Sequence, residues 1–230
     1  KDLPTTLPEG LILGAVSERE DPRDALVSRE VKSLADLPEG GTVATGSLRR
    51  RSQLAHVRPD LRVVDIRGNV QTRLRKFDES NWDGMIMARA GLLRLGLEER
   101  IACDLESAEM LPAVSQGALG LEIREGDSRT SEWIAPIECA ATRAVTTAER
   151  AFLRTLEGGC QVPIAALGQI VEGCLELDGL VASLDGWRYF RRKTRGMVSK
   201  AELIGSDLAN ALLADGADKV LREIRDTQEK

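Results

Sequence analysis

Residues 42–51 read Thr42-Val43-Ala44-Thr45-Gly46-Ser47-Leu48-Arg49-Arg50-Arg51. The pattern predicts a strand at 42–45, a turn of small residues, and a helix that continues to position 57. Ser47 can cap this helix, and the free amide groups and positive dipole end of a helix start favour an anion. Arg49 and Arg50 add planar guanidinium groups that match carboxylate or phosphate geometry. We therefore expect an anion-binding turn at a strand end.

A second stretch repeats this arrangement after a strand predicted at 62–66. It reads Arg67-Gly68-Asn69-Val70-Gln71-Thr72-Arg73 and enters a helix predicted at 70–77. Ligands of open α/β sheets bind at the carboxyl ends of strands, so both stretches are expected to face one crevice. The GxxxxGK[ST] phosphate loop is absent. From the residues alone, a polyanion cleft and a solvated charged surface stay equally open.

Strands and helices alternate along the first half of the chain. Further strands are predicted at 11–16, 85–88 and 118–123, with a further helical region at 92–97. This succession indicates a mostly parallel sheet covered by helices on both faces.

The pattern changes in the second half of the chain. A long helix is predicted at 139–156, followed by strands at 164–171, 175–183 and 187–193 and by helices at 207–214 and 217–225. This second succession predicts a small α+β unit.

Composition excludes some classes of protein. The chain has 230 residues, of which 42% are hydrophobic and 30% charged, so it is long enough for more than one core. The net charge of −5 and the 3% of aromatic residues argue against a nucleic-acid or membrane-surface binder. The cysteines form no metal-ligand spacing with the single His56, so we expect no metal site. This cysteine usage suits a reducing compartment, and we expect a cytoplasmic protein.

One cysteine follows two glycines directly after the long predicted helix. The stretch reads Glu157-Gly158-Gly159-Cys160-Gln161-Val162-Pro163. Glycine permits backbone geometry closed to other residues, so Cys160 is expected on a tight, accessible loop. The alternative is a small buried hydrophobic residue, as most free cysteines are. Cys103, Cys139 and Cys174 are given that second interpretation, and His56 is expected on the exposed face of its helix.

Taken in order, segments along the whole chain resemble the porphobilinogen deaminase (hydroxymethylbilane synthase) family of tetrapyrrole biosynthesis. The matching segments are Lys1-Asp2-Leu3-Pro4, Glu18-Arg19-Glu20-Asp21-Pro22-Arg23-Asp24-Ala25, Ser47-Leu48-Arg49-Arg50, Arg67-Gly68-Asn69-Val70-Gln71-Thr72-Arg73-Leu74, Ala90-Gly91-Leu92, Leu111-Pro112-Ala113-Val114, Gln116-Gly117-Ala118, Ala148-Glu149-Arg150-Ala151 and Glu157-Gly158-Gly159-Cys160. Any one could arise by chance, but together and in this order they are very specific.

The resemblance implies a transferase that condenses four porphobilinogen molecules head to tail, with release of ammonia, into linear hydroxymethylbilane. It implies that Cys160 carries a dipyrromethane cofactor through a thioether. Every pyrrole carries an acetate and a propionate, so an arginine-rich cleft would neutralise the negative charges of the growing chain, even though the protein as a whole is acidic. The resemblance also implies that Asp2 is catalytic, assisting loss of ammonia and stabilising the cationic intermediate. Without the resemblance, Asp2 would be taken for a frayed terminal residue.

The resemblance also transfers a set of binding residues. The cofactor-binding residues it implies are Lys1, Asp2, Thr45, Ser47, Arg49, Arg50, Arg67, Gly68, Arg73 and Cys160. The further substrate-binding candidates are Arg94, Gln116 and Arg124. The basic residues left as solvated surface are Arg51, Arg58, Arg62, Arg75 and Lys76.

The fold implied by the resemblance is α/β, with two periplasmic-binding-protein-like (type II) domains of mixed, mostly parallel sheets and a small α+β C-terminal domain. Residues 1–17 and 117–135 would be a remnant of domain one, 18–116 domain two, and 136–230 domain three. A monomer acting on a small molecule is expected.

Two departures from the family pattern bear on activity. Gly46 stands where the family commonly has serine, so weakened or altered anion contacts are expected. The family also has a long segment before its Lys-Asp motif, so this chain by itself is expected to be poorly active.

Three rival functions remain open at this stage. A non-catalytic solute-binding module would share the topology without needing Cys160. A nucleic-acid binder would use the arginine run, and a thiol enzyme would need His56 to meet Cys160.

Overall fold

The computed structural model describes residues 2–156 and 162–228. The strands are β1 (Leu11–Val16), β2 (Asp24–Val27), β3 (Thr42–Ala44), β4 (Arg62–Val64), β5 (Gly84–Ala88), β6 (Cys103–Leu105), β7 (Gly120–Arg124), β8 (Ile164–Val171), β9 (Cys174–Ala182) and β10 (Tyr189–Met197). The α-helices are α1 (Leu48–Val57), α2 (Val70–Asp78), α3 (Arg89–Leu93), α4 (Ser128–Ile134), α5 (Ala140–Thr155), α6 (Ala201–Leu212) and α7 (Asp218–Gln228). Short 3₁₀ turns occur at Glu98–Arg100, Ala135–Ile137 and Val198–Lys200.

The central sheet has five strands in the order β4-β3-β5-β2-β6. β3 runs parallel to β4 and β5, whereas β2 runs antiparallel to both β5 and β6. Four strands therefore run one way and β2 the other, which confirms the predicted mixed, mostly parallel sheet. One core, around Phe77 and Met85, packs under α2 and α3, and a second, around Leu54 and Ile86, packs under α1.

β2 and β6 were not predicted, and both are short. All four residues of β2 are buried, but its first residue is Asp24, which interrupts the apolar pattern. The predicted strands at 42–45, 62–66 and 85–88 are confirmed as β3, β4 and β5 with small shifts in their ends.

A two-stranded antiparallel ribbon is formed by β1 and β7, with a bulge between Leu13 and Ala15. α4 packs on β1 and was not predicted. Gly14 makes this packing possible, because a Cβ there would lie 2.7 Å from side-chain atoms of both Ile123 and Ile134.

The C-terminal sheet is antiparallel, in the order β10-β9-β8, and it confirms the predicted small α+β unit. α5 and α6 cover one face, with Phe152 fully buried between them and the sheet. The helices approach so closely that a Cβ on Gly205 would lie 2.1 Å from the carbonyl oxygen of Ala148. The helix predicted at 207–214 is wrong in its limits. α6 begins at Ala201 without a side-chain cap, so no capping residue marks its start.

The chain crosses between the ribbon and the central sheet twice, and the two crossings lie side by side. Ser17 N donates to Leu119 O at 3.0 Å, and Glu20 N donates to Gly117 O at 3.1 Å. Gly117 has φ +87°, and a Cβ there would lie 2.4 Å from Glu20 O, so the crossing requires glycine. The proposed limits of the three domains stay predictions. In the described part of the chain, every helix is too short or too polar to span a bilayer.

Candidate active site

The β3–α1 turn is held by hydroxyl groups. The Thr45 hydroxyl accepts a hydrogen bond from Ser47 N at 3.3 Å, and the Ser47 hydroxyl accepts from Arg50 N at 3.5 Å. The first turn of α1 contains no acidic residue, so its positive dipole end is not neutralised by its own helix. This end of α1 can therefore attract an anion.

Arg49 and Arg50 are buried and share one carboxylate, that of Asp24 at the start of β2. Arg49 Nη1 lies 2.8 Å from Asp24 Oδ2, and Arg50 Nη2 lies 2.8 Å from Asp24 Oδ1. Arg49 also donates to Leu111 O at 2.7 Å and Arg50 to Ile86 O at 3.0 Å. Each guanidinium is thus fixed by two partners, and the three charged groups together keep one net positive charge.

The ionisation of this cluster follows from its burial. Burial alone would raise the pKa of Asp24, but the two arginines outweigh it and hold that pKa well below its usual range. Burial lowers the pKa of Arg49, against the opposing effect of Asp24. The carboxylate therefore stays ionised and stays paired.

Gln116 ties this cluster to the crossing between ribbon and sheet. It is 1% exposed, and its amide donates to Asp24 Oδ1 at 2.8 Å and to Pro22 O at 2.7 Å. Gln116 Oε1 and Arg50 Nε are both buried and have no hydrogen-bond partner among the described residues. Two unused polar atoms, a donor and an acceptor, thus lie in the same cluster.

A cavity of about 310 Å³ opens beside this cluster. Its walls are formed by Asp2, Gly46, Ser47, Arg49, Arg50, Arg73, Ala113, Val114, Gln116, Leu153, Val162 and Ile164. Six predicted site residues come together here, although they are spread from position 2 to position 116. Val162 follows directly after 157–161, so the cavity adjoins that segment along the chain. Cys160 and Lys1 lie outside the described residues.

Arg73 contributes the third guanidinium of the cavity wall. Its Nε donates to Gly68 O at 2.7 Å. Burial, and then the neighbouring Arg50, lowers its pKa. Gly68 has φ +127°, a conformation that favours glycine, and a Cβ there would lie 2.8 Å from a Thr72 side-chain atom. The backbone carbonyl of Gly68 thus holds Arg73, and its own contact with a cofactor stays a prediction.

Three other predicted arginines lie away from this wall. The Arg67 side chain is 88% exposed and pairs with Asp65 at 3.1 Å. Arg94 is exposed at the end of α3, and Arg124 is exposed at the end of β7, where it pairs with Leu11. Contacts of these three with a ligand stay predictions.

Some residues expected at the surface or in the core are placed differently. Arg58 was expected to be solvated, but its side chain is only 20% exposed, because it donates to Leu34 O at 2.8 Å and pairs with Asp60. The hydrogen bonds that Arg58 donates to the Asp60 carboxylate lower the pKa of Asp60 to about 2. Arg51, Arg62, Arg75 and Lys76 are exposed, as expected.

The cysteines and the histidine also differ in part from expectation. The prediction that Cys103, Cys139 and Cys174 are buried is wrong, since all three are partly exposed. His56 is exposed on α1, but its ring stacks on Tyr189 of β10, with centroids 3.9 Å apart and planes 9° apart. α1 therefore also contacts the C-terminal sheet.

The packing around Gly46 explains why this chain lacks the serine hydroxyl that the family commonly has at this position. A Cβ at this position would lie 2.6 Å from the carbonyl oxygen of Ile66. The turn before α1 packs directly against the chain that follows β4, and this packing requires glycine.

Two buried carboxylates were missed by sequence reasoning, Asp24 and Glu149. Glu149 of α5 is 0% exposed and accepts hydrogen bonds from Arg19, from Ser115 N at 2.6 Å and from Gly168 N at 2.7 Å. It thus joins both crossings to the C-terminal sheet. Both carboxylates lie inside segments that match the family, and this match was the signal in the sequence that could have identified them.

Together, the fold and the cavity define an α/β protein with an arginine-walled cleft where the central sheet, the second crossing and the C-terminal unit meet. The family model described as "Porphobilinogen deaminase, dipyromethane cofactor binding domain" matches residues 1–132, and that described as "Porphobilinogen deaminase, C-terminal domain" matches residues 143–214. The chain belongs to the porphobilinogen deaminase family.

Individual relatives give the same result. A porphobilinogen deaminase of Syntrophotalea carbinolica is 53% identical over 221 residues, which cover 96% of this chain and 70% of that protein. One of Syntrophobacter fumaroxidans is 49% identical over 224 residues, covering 97% of this chain and 72% of that protein. Among solved structures, a periplasmic binding protein from Brucella ovis with glutathione bound is 15% identical, with a TM-score of 0.34, over 64% of this chain and 44% of that one.

Proposed function

We propose that this protein is the transferase of its family, which condenses four porphobilinogen molecules head to tail into hydroxymethylbilane and releases ammonia. It would do so in the cytoplasm, as a step of tetrapyrrole biosynthesis. The observation that carries the proposal is one cavity walled by Asp2, Ser47 and three arginines, in a chain whose residues 1–132 match the cofactor-binding domain of that family.

The residues of the cavity fit a dipyrromethane group. Its volume of about 310 Å³ falls at the lower end of the range for small-ligand sites. The Ser47 hydroxyl, the start of α1 and the guanidinium of Arg73 suit carboxylate arms, and the partnerless Arg50 Nε is a further buried donor. Apolar wall residues such as Val114 and Leu153 suit the flat pyrrole rings. When bound, the group supplies the primer to which pyrrole units are added.

The arginine cluster would hold acidic side arms without having to reorganise. Asp24 and backbone carbonyls fix Arg49 and Arg50 before any ligand arrives. Since one carboxylate compensates two guanidinium groups, the cluster keeps positive charge for a ligand, and Arg73 adds to it. Groups that are oriented in advance stabilise charge at little cost in reorganisation.

Asp2 is the proposed catalytic residue. Its carboxylate is exposed at the wall of the same cavity as the arginines. There it can hold a proton at a carboxylate oxygen and stabilise the positive charge that develops as ammonia leaves. Cys160 is the proposed attachment point, and Lys1, Thr45, Arg67, Gly68, Arg94 and Arg124 complete the proposed site.

The test uses the protein expressed from its complete gene. With porphobilinogen, we expect a linear tetrapyrrole and ammonia as products, and a decrease in kcat of about 10²-fold or more for Asp2→Asn. Asp78→Asn, which removes a carboxylate from an ion pair with Arg100 away from the cavity, is the control and should keep full activity. Binding of porphobilinogen without turnover would refute the proposal and favour a solute-binding module.

A further inference from the structure

Arg150 of α5 holds the backbone that directly follows Asp2. Its Nη2 donates to Pro4 O at 2.6 Å and to Thr5 O at 3.3 Å, and its Nη1 donates to Leu3 O at 3.4 Å. Among the described residues it pairs with no carboxylate. A half-buried guanidinium thus uses both of its terminal nitrogens on three successive carbonyl groups.

The segment held in this way has little other support. Residues 2–7 belong to neither helix nor strand, and within the described chain they form no backbone–backbone hydrogen bond. The next such bond along the chain joins Leu11 N to Pro8 O at 3.1 Å. The Leu3 side chain packs over Gly120 of the ribbon, where a Cβ would lie 2.8 Å from Leu3 Cδ1. Arg150 and this apolar contact therefore both support the position of Asp2.

The helix that carries Arg150 also fixes the other parts of the site. Leu153, one turn further along α5, lines the cavity. Glu149, directly before Arg150, receives hydrogen bonds from both crossings. α5 ends at Thr155, and segment 157–161 with Cys160 follows almost at once.

We propose that Arg150 is a positioning residue, which clamps residues 3–5 to α5 and so holds the Asp2 carboxylate in register with the cavity. The proposal rests on the proposed function, because it takes Asp2 as catalytic. Arg150 itself contacts no substrate. Its effect comes from geometry, since a displacement of about 1 Å in a catalytic group can cost about 10²-fold in rate.

The test compares three variants of the protein from the complete gene. Arg150→Met keeps the apolar stem and removes all the donors, so we expect kcat to fall about 10²-fold while KM for porphobilinogen changes little. In Arg150→Lys one ammonium cannot span three carbonyls in a fixed plane, so a partial loss is expected. Arg154→Met is the matched control, because Arg154 lies on the same helix and pairs with Glu202. It should keep full activity.

A double variant separates positioning from general damage. If Arg150 acts through Asp2, Asp2→Asn combined with Arg150→Met should be no less active than Asp2→Asn alone. Losses that multiply would overturn the proposal, and so would an unchanged kcat in Arg150→Met. If Arg150→Met does not fold, the same comparison is made with Arg150→Lys. Full activity of Asp2→Asn would defeat the proposed function as well, so the two failures are distinguishable.

Discussion

Asp24→Asn is expected to destabilise the protein strongly, because it leaves two buried guanidinium groups without their carboxylate. The Asp24 side chain is 0% exposed, and those of Arg49 and Arg50 are each 6% exposed. Removing one partner of a buried ion pair costs about 3–5 kcal/mol. Asparagine keeps the shape and can still accept one hydrogen bond, so we expect the lower limit, about 3 kcal/mol.

The assay is urea unfolding at pH 7, comparing free energies of unfolding. Asp65→Asn makes the same chemical change in an exposed pair with Arg67, and it should cost less than about 1 kcal/mol. If Asp24→Asn costs no more than this control, the paired carboxylate does not stabilise the fold and the reasoning is refuted.

The ion pairs of Asp24 with Arg49 and Arg50 also make the free energy of unfolding depend on pH, in a direction that can be stated. The folded pKa of Asp24 lies below its ordinary value of 3.8, because Arg49 and Arg50 outweigh the effect of burial. The stabilisation is therefore complete above about pH 4 and is lost as the pH falls through the lower folded pKa. The difference in stability between wild type and Asp24→Asn should narrow below pH 4. A difference that stays constant there would contradict the assignment.

Three further substitutions test other contacts. Gly46→Ser would bring a Cβ to 2.6 Å from Ile66 O, so we expect a loss of about 1–3 kcal/mol in thermal unfolding, and an unchanged midpoint would argue against the packing. Arg73→Met should raise KM for porphobilinogen about tenfold or more, since a hydrogen bond to a charged group contributes about 1.5–3 kcal/mol; an unchanged KM would remove Arg73 from the site. His56→Ala and His56→Phe both lose the contact of His56 Nδ1 with Gly186 O at 2.9 Å, but only His56→Ala also loses the stack on Tyr189, so it should be about 0.5–1.5 kcal/mol less stable than His56→Phe; equal losses would show that the stack contributes nothing.

Much of the fold follows from local patterns. α1 at Leu48–Val57 and β8 at Ile164–Val171 have the predicted limits, because a capping serine marks the start of the helix and an unbroken apolar run marks the first half of the strand. β2 was missed because four residues that begin with an aspartate carry no periodic signal. Its burial is decided by neighbours on both sides in the sheet.

The candidate site divides in a similar way. The two arginine-rich strand ends could be read from the sequence, and Arg49, Arg50 and Arg73 do meet in one cavity. Local patterns do not reveal that Asp24 is the shared partner of Arg49 and Arg50, because it lies 25 residues before Arg49 and is brought close only by the pairing of strands. Arg150 was hidden for the same reason, since its three carbonyl partners are about 145 residues away in the chain.

The most direct test of the central claim is the intact mass of the protein from its complete gene, followed by mapping of the peptide that contains Cys160. We predict a covalent dipyrrole on the Cys160 sulfur. The Cys160→Ser variant should have neither this dipyrrole nor tetrapyrrole synthesis. An unmodified Cys160 in protein that turns over porphobilinogen at full rate would contradict the account.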